Sequence, residues 1–506
     1  AKAWAGVAAL AGLRPDAKFV MSPKGDLYED VVVENPAQER SEVLEIPAST
    51  IATIHKDLEP LLTVGAFLTR RVDCLINLRA FARREWPGQN RVGLMDLFAK
   101  AQPLYRQFLA AESEAIKKGE WASTFNPSDL DELRLAAERR GEIAAVLDSC
   151  LVPSETGAEI DRAKMRRLAD RVPAAYRPSV GGCLFLQPAK ADGSLWVLNR
   201  MYEGTGRYSS RYTAVMGDDQ RSAFAERLRA GSTFEVDGRP AELVDLLCAQ
   251  GDTLNVHALQ TERVIEFPGE DSGAPRHRRL ALQDLSVEIS QDDDGVPLRL
   301  LDADGRWILP AHLGGTILRF MPIMVKFLAL FGPGDLRRAN PMPALREENG
   351  VPVRDRVTLG KVVLLRKQWR TKPADLVAEV ARKSEAEAFE RVHRWRNERG
   401  VPERVFMVEK RPSRLNLELY KPQYVDFRSP SLVKIFLAAA ATTPELLVLM
   451  EALPTTEEFP ETSDGQRRLV EVQCESISAQ GAPSSVPPAG GAETPVPLTG
   501  AVTNRG

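Results

Sequence analysis

The sequence has 506 residues, a length that corresponds to about three domains of ordinary size. Hydrophobic residues make up 43% and charged residues 27% of it, which is typical of a globular protein with buried cores and excludes a disordered chain as a whole. The formal net charge is −3, so no overall positive field attracts nucleic acid, and any polyanion site requires local clustering of cations.

Cysteine and histidine usage argues against metal, redox and disulfide chemistry. The cysteines are far apart and form no CxxC pair, and the five histidines include no HExxH motif. We therefore expect no metal, no cofactor and a reducing, cytoplasmic location. No run of about 18 apolar residues occurs, so we expect no insertion into a membrane. The sequence begins at Ala1 without a signal-peptide pattern, and we expect it to be a fragment that lacks an upstream region.

The first third of the chain is predicted to be mainly helical. Residues 27–33 form a short predicted strand after a turn at residues 23–26. Across residues 60–180 apolar side chains recur every three or four positions, most clearly at residues 97–109 and 133–151. This spacing places apolar side chains on one face of a helix.

The pattern changes to strands near residue 180. Between residues 182 and 287 short apolar runs alternate with Gly, Asp and Pro, and an acidic turn at residues 291–295 predicts a hairpin of residues 280–289 and 298–309. Further along we predict a strand at residues 357–365 and a helical stripe at residues 376–395 that ends before Gly400. A second hairpin is predicted from residues 405–408 and 415–419 around a turn at 410–413, and two helices follow before residue 453.

These elements predict an α+β fold of mixed helical and antiparallel-sheet subdomains with a disordered C-terminal tail. The predicted parts are a mainly helical part at residues 1–180, an α+β part at residues 181–453, and the tail at residues 454–506. Residues 475–506 contain five Pro, five Gly and no aromatic residue, so they have little apolar surface to offset the entropy of ordering.

A glycine-containing segment at residues 197–212 is the first candidate site. Arg200, Arg207 and Arg211 lie within twelve residues, and a planar guanidinium suits phosphate or carboxylate. The alternative is a turn with solvated arginines. A dinucleotide fingerprint is rejected because Ser209 occupies the position of the third glycine.

A basic block at residues 354–414 is the second candidate, with 17 Lys and Arg against 9 Asp and Glu. Clustered cations are the electrostatic signature of nucleic-acid binding. The alternative is a solvated helix face, because glutamates are interspersed. We expect Trp369 and Trp395 to lie in a core. The residues predicted to contact an RNA backbone are Lys361, Arg366, Lys367 and Arg370.

Six short segments follow one another along the chain. Residues 81–95 contain a basic pair before a Val-x-Leu, residues 197–212 a Leu-Asn…Gly-x-Gly-Arg…Arg-aromatic stretch, and residues 253–263 an Asn-Val element. Residues 280–305 contain a Leu-x-Asp-Leu-x-Val hairpin, residues 356–369 an Arg-Val…Gly…Trp strand, and residues 401–419 a Pro-x-x-Val with a Leu-x-Leu. In this order the series resembles the lantibiotic dehydratase family across roughly residues 20–450.

This resemblance implies transfer of glutamate from glutamyl-tRNA to Ser or Thr hydroxyls of a ribosomally made precursor peptide. Glutamyl-tRNA is then a co-substrate, and the implied partners are charged tRNA, the precursor peptide, a separate elimination-domain protein and a second copy in a homodimer. Because elimination belongs to a domain beyond this chain in the family, we expect the reaction to stop at an aminoacylated peptide. Two alternatives stay open: a peptide aminoacyl-tRNA ligase, and a non-catalytic tRNA- or peptide-binding subunit of a split dehydratase.

The resemblance also suggests roles for individual residues. Arg207 and Arg211 are candidates to hold phosphate or the glutamyl carboxylate, and Arg200 is a candidate for tRNA contact. Asp30 resembles an acidic position of the family and is a candidate to orient the nucleophile. Its alternative is an ordinary carboxylate at the end of a strand.

Overall fold

A computed structural model describes the chain in segments, and the elements of the described residues belong to one compact unit, Asn35–Ala501. The described residues are 46–118, 124–173, 180–203, 206–208, 210, 213, 218–230, 233–236, 239–248, 255, 257, 259–289, 298–332, 341–409, 422–443, 445–461, 465 and 467–478. Asp30, Arg211 and the segment 410–421 therefore lie outside the described residues.

The predicted α+β class is confirmed. In the described ranges the helices are α1 (Ala48–Phe67), α2 (Arg71–Glu85), α3 (Leu94–Lys118), α4 (Asp131–Leu147), α5 (Arg162–Asp170), α6 (Asp218–Ala230), α7 (Ile323–Ala329), α8 (Ala374–Val380), α9 (Glu385–Glu398) and α10 (Pro430–Thr442).

The strands form three sheets. They are β1 (Arg91–Gly93), β2 (Leu151–Ser154), β3 (Gly157–Ile160), β4 (Val180–Pro188), β5 (Trp196–Glu203), β6 (Thr233–Val236), β7 (Arg239–Leu247), β8 (Val264–Glu266), β9 (Arg279–Leu280), β10 (Ser286–Glu288), β11 (Arg299–Leu301), β12 (Trp307–Ala311), β13 (Arg346–Glu348), β14 (Val351–Arg354), β15 (Arg356–Leu359), β16 (Val362–Leu365), β17 (Gln368–Thr371), β18 (Arg404–Glu409), β19 (Gln423–Asp426), β20 (Leu447–Glu451) and β21 (Val472–Ser478).

Each sheet packs against helices, and α2 contributes to the cores of both sheet I and sheet II. Sheet I has the order β2-β3-β15-β16-β5-β4-β21, sheet II has β1-β10-β11-β12-β7-β8-β9 with β6 beside β7, and sheet III has β13-β14-β17-β20-β18-β19. The core of sheet I includes side chains of α1, α4 and α5, that of sheet II includes α2, α3 and α7, and that of sheet III includes α8, α9 and α10. Sheet III is wholly antiparallel, whereas sheets I and II also contain parallel pairs, such as β3 with β15 and β7 with β12.

A buried ion pair joins α4 to α2, the helix that contributes side chains to the cores of both sheet I and sheet II. Arg140 of α4 contacts Asp73 of α2 through Nη1–Oδ2 at 2.7 Å and Nη2–Oδ1 at 2.6 Å, and neither side chain is exposed to solvent. The same guanidinium donates to the carbonyl oxygens of Phe67 and Thr69. Such a fully hydrogen-bonded pair is the form in which a charged group tolerates burial.

The structure confirms several local predictions and corrects others. The first hairpin is present, with Ser286 opposite Leu301, and Trp369 and Trp395 are buried in the core of sheet III. The helical stripe at residues 376–395 belongs to two helices, because Ser384 caps a new helix with Glu387 in a capping box. The two helices predicted before residue 453 are in fact one helix, α10, and one strand, β20, since the apolar run of β20 pairs with β17 and β18.

Two further differences concern the boundaries of the predicted parts. The helix α6 interrupts the strand region at residues 182–287. Residue 180 does not separate one part of the fold from the other, because β3, which precedes it, pairs with β15, which follows it. Part of the predicted tail at residues 454–506 forms a strand, because β21 pairs with β4 along its whole length. Residues 479–506 lie outside the described part of the chain.

Candidate functional site

A cluster of buried polar side chains lies at one edge of sheet II, where β7 and β12 end. These strands are parallel, with Asp245 of β7 opposite Ala311 of β12, so the chain segments that follow them start at the same edge. His312 comes directly after Ala311, and residues 255–261 follow β7. The members of the cluster are Arg207, Ser210, Thr213, Asp245, Asn255, His257, Gln260 and His312, all of them buried or nearly so.

His257 and Asp245 form an ion pair within this cluster. His257 Nε2 lies 2.8 Å from Asp245 Oδ2, and His257 Nδ1 lies 2.8 Å from the carbonyl oxygen of Asn255. Because a carbonyl oxygen only accepts, Nδ1 carries a proton, and a proton on Nε2 completes the bond to the carboxylate. Burial disfavours the imidazolium, but the Asp245 carboxylate outweighs it and raises the pKa of His257 above its ordinary value.

His312 has the opposite protonation state. Its Nε2 lies 3.2 Å from the carbonyl oxygen of Thr316, which requires the proton on Nε2. Burial and then the nearby charge of Arg207 lower the pKa of His312 to about 4. The imidazole is therefore neutral near pH 7, and it is a weak base.

The loop after His312 is closely packed against Asn255. The Asn255 Oδ1 accepts from the backbone N–H of Thr316 at 3.0 Å. A Cβ at Gly314 would clash with Asn255 Oδ1 and lie 2.8 Å from His312 Cε1. Glycine at this position therefore lets the loop approach both side chains.

Arg207, one of the three arginines of the candidate segment at residues 197–212, lies in this cluster. It is 2% exposed, so the alternative of a solvated turn does not hold for this residue. Gly206 has φ +71°, and Ser210 Oγ donates to the carbonyl oxygen of Leu313 at 2.6 Å, which holds the segment against the His312 loop. The guanidinium also lies 5.2 Å from the ring centre of Tyr208.

The other arginine of that segment, Arg200, has a different environment. It is exposed on β5, opposite Phe185 of β4. Phe185, Tyr202 and Tyr208 form a half-buried aromatic group, with ring centres of the two tyrosines 4.7 Å apart.

Two cations of the predicted basic block are engaged with protein partners. Arg366 Nη2 donates at 2.8 Å to both Asn199 Oδ1 and the Leu453 carbonyl oxygen, and burial lowers the pKa of Arg366 to about 10. Lys367 Nζ lies 3.2 Å from Glu348 Oε2. Their sequence neighbourhood is therefore less positive than its composition suggests.

Two further cations of the block also pair with carboxylates. Arg356 pairs with Glu451 at 2.6 Å and Arg394 with Glu390 at 2.9 Å. Arg370 is half-buried near Arg354, and Lys361 is exposed on the turn between β15 and β16. Lys361 therefore lies at the opposite end of β16 from Arg366 and Lys367.

Sequence reasoning did not identify Asp245 and His312 as parts of the site. Asp245 lies in an apolar strand and His312 directly after another, and no short-range spacing links them. The Asn-Val element that includes Asn255 and His257 was the available signal.

Within the described ranges no group of three or more His, Cys, Asp or Glu side chains is suited to hold a metal ion. The same ranges include no helix with the length and apolar character needed to cross a bilayer.

Solved structures with the same fold come from lantibiotic dehydratases and related enzymes. The glutamylation domain TbtB from thiomuracin biosynthesis matches with TM-score 0.61 and 22% identity over 84% of this chain and 50% of that one. The same domain bound to 5′-phosphodesmethylglutamycin matches with TM-score 0.62 and 23% identity over 85% and 50%. The tRNA-dependent lantibiotic dehydratase MibB from Microbispora sp. 107891 matches with TM-score 0.52 and 18% identity over 80% and 37%.

These likenesses show a shared fold, and the chain spans half or less of the length of each structure. A comparison with curated proteins finds no match. The family described as "Lantibiotic dehydratase, N terminus" matches residues 131–427, more than half of the chain and the whole of the buried polar cluster. The chain therefore belongs to the lantibiotic dehydratase family, with its matched region corresponding to the N-terminal part.

Proposed function

We propose that the chain transfers glutamate from glutamyl-tRNA to Ser or Thr hydroxyls of a ribosomally made precursor peptide. Membership of the lantibiotic dehydratase family and the fold shared with a glutamylation domain support this proposal. The observation that carries it is the buried Arg207, a permanent cation beside a neutral His312.

The reaction is an acyl transfer, and its requirements suggest a role for Arg207. The hydroxyl oxygen attacks the ester carbonyl of glutamyl-tRNA, the bond to the tRNA ribose breaks, and the hydroxyl proton passes to the leaving oxygen. Both substrates must be held in line for this step. We assign Arg207 to the anionic end of the bound glutamyl group, because a guanidinium binds a carboxylate through two hydrogen bonds.

The cluster around Arg207 supports positioning rather than proton transfer. His257 is engaged by Asp245, and a pKa of about 4 makes His312 a poor acceptor near pH 7. Arg211 and Asp30 stay candidates for the second cation and for orienting the nucleophile.

Reconstitution with charged tRNA and precursor peptide tests the proposal. Mass spectrometry should detect peptide with added glutamate, and Arg207→Lys should slow its formation at least about tenfold because the bidentate fork is lost. Arg382→Lys, at an exposed position in the turn between α8 and α9, is the matched control and should react at the wild-type rate.

The outcomes separate this proposal from its alternatives. An adduct that resists mild alkali is an amide and would assign the chain to peptide aminoacyl-tRNA ligation. Binding of tRNA or peptide without transfer would identify a binding subunit. Equal rates for wild type and Arg207→Lys would remove Arg207 from the reaction.

A further inference from the structure

We propose that a recess between α1 and α5 binds a backbone phosphate of the tRNA, an inference that rests on the function proposed above. The recess is lined by the cations Lys56, Arg162 and Arg166, by the carboxylate Asp57, and by the apolar residues Pro60, Met165 and Leu359.

Charge distinguishes this recess from the basic block of the sequence. The lining contains three cations against one carboxylate. Lys56 and Arg166 are exposed, and neither forms an ion pair with a residue that the structure describes. In the block, by contrast, Arg356, Lys367 and Arg394 already have carboxylate partners. The recess therefore carries exposed positive charge that no described carboxylate neutralises, and counterion release at such a surface can drive binding of a polyanion.

The guanidinium of Arg162 is held in place before any ligand binds. Its Nη1 lies 3.0 Å from Asp57 Oδ1, and the Asp57 side chain is 7% exposed whereas that of Arg162 is 54% exposed. The buried carboxylate thus fixes one edge of the guanidinium and leaves much of the group open to solvent. A preorganised donor loses less entropy when it binds phosphate.

The turn between β15 and β16 closes one side of the recess. Gly360 has φ +56°, and a Cβ there would clash with both Arg162 Nη2 and Asp57 Oδ2. Glycine therefore allows the turn to contact the ion pair directly. The next residue, Lys361, is exposed, which brings one of the predicted tRNA-binding cations to the same surface.

The basic surface continues along α5. Arg166 lies one turn after Arg162 and therefore on the same helix face. Arg167 is exposed and has no carboxylate partner among the described residues. Because these cations come from two helices and a turn, they suit a ligand with several phosphates. We therefore assign a tRNA backbone to the surface and not a single small anion.

Binding of tRNA to the full 506-residue chain, measured between about 50 and 200 mM salt, tests this assignment. The double variant Lys56→Gln/Arg166→Gln removes two exposed cations and leaves the Asp57–Arg162 pair intact. Its affinity should fall on the order of tenfold, and the slope of log K against log salt should become shallower by about 1.4 to 1.8, since each of the two lost contacts contributes roughly 0.7 to 0.9.

The matched control is Arg382→Gln/Arg394→Gln, which removes the same charge from exposed positions in the basic block. It should bind tRNA as the wild type does. A larger loss in the control than in the recess variant would overturn the proposal.

Inorganic phosphate and an oligoglutamate peptide distinguish other ligands. Recess-dependent binding of either probe, with unchanged tRNA affinity in the Lys56→Gln/Arg166→Gln variant, would overturn the assignment to RNA. Normal tRNA binding and transfer by that variant would overturn the assignment of tRNA binding to the recess and leave the proposed function unaffected. A wild-type chain that neither binds tRNA nor transfers glutamate would overturn the proposed function together with the recess.

Discussion

The His257 imidazole and the Asp245 carboxylate are 2.8 Å apart, with side chains only 3% and 2% exposed. Since the other ring nitrogen faces the Asn255 carbonyl oxygen, this is a buried imidazolium–carboxylate pair at the centre of the candidate site. It links the end of β7 to the segment that follows it.

We predict that Asp245→Asn destabilises the protein by about 1.5 to 3 kcal/mol near pH 6, because the buried imidazole loses its charged hydrogen-bond acceptor and gives up its extra proton. The raised pKa of His257 gives a stabilisation that is fully present below pH 6.5 and is lost as pH rises through the folded-state pKa. Urea denaturation at several pH values measures both effects. Asp245→Asn/His257→Gln should cost less than the two single changes together, and strict additivity would contradict the pair.

His312 should make the protein sensitive to mild acid. Its pKa is lowered to about 4 in the folded state, so the unfolded state binds an extra proton between pH 6.5 and 4. Stability therefore falls as pH decreases through this window, by roughly 2 to 3 kcal/mol at pH 4.5 for this residue. In His312→Gln that part of the acid dependence should disappear, as judged by denaturation at pH 7.5 and 4.5. His277→Gln, at an exposed position, should retain the wild-type dependence.

Gly314→Ala should destabilise the candidate site, because the new Cβ would clash with Asn255 and approach His312. We expect a loss of about 1 to 3 kcal/mol in the free energy of unfolding. Gly141→Ala is the contrasting control, since a Cβ there has no atom within 4 Å and lies within α4. That change should stabilise by about 0.5 to 1 kcal/mol. Equal effects of the two substitutions on thermal unfolding would contradict the close packing at Gly314.

Arg140→Met should cost about 3 to 5 kcal/mol, because it leaves Asp73 as a buried carboxylate that has lost its bidentate partner. Arg134→Gln breaks only pairs with the exposed carboxylates of Asp129 and Asp131 and should leave the free energy of unfolding nearly unchanged. Chemical denaturation of both variants gives the comparison. A small effect of Arg140→Met would mean that water reaches the pair.

Features with a local cause could be predicted from the sequence. The alternating runs around residues 291–295 were sufficient for the hairpin of β10 and β11, and the helical spacing of Val392 and Trp395 was sufficient for their burial. Family membership also followed from short segments read in order. In each case the determining residues are neighbours along the chain.

The charge and protonation of the candidate sites were decided by the tertiary structure. The sequence determined that cations cluster at residues 354–414. In the folded protein, however, Arg356 on β15 of sheet I pairs with Glu451 on β20 of sheet III, 95 residues further along the chain. Likewise, Asp57 and Arg162 meet only because α1 packs on α5. The physical reason is that composition counts charges along the chain, whereas burial and distance to a counterion depend on elements that folding brings together.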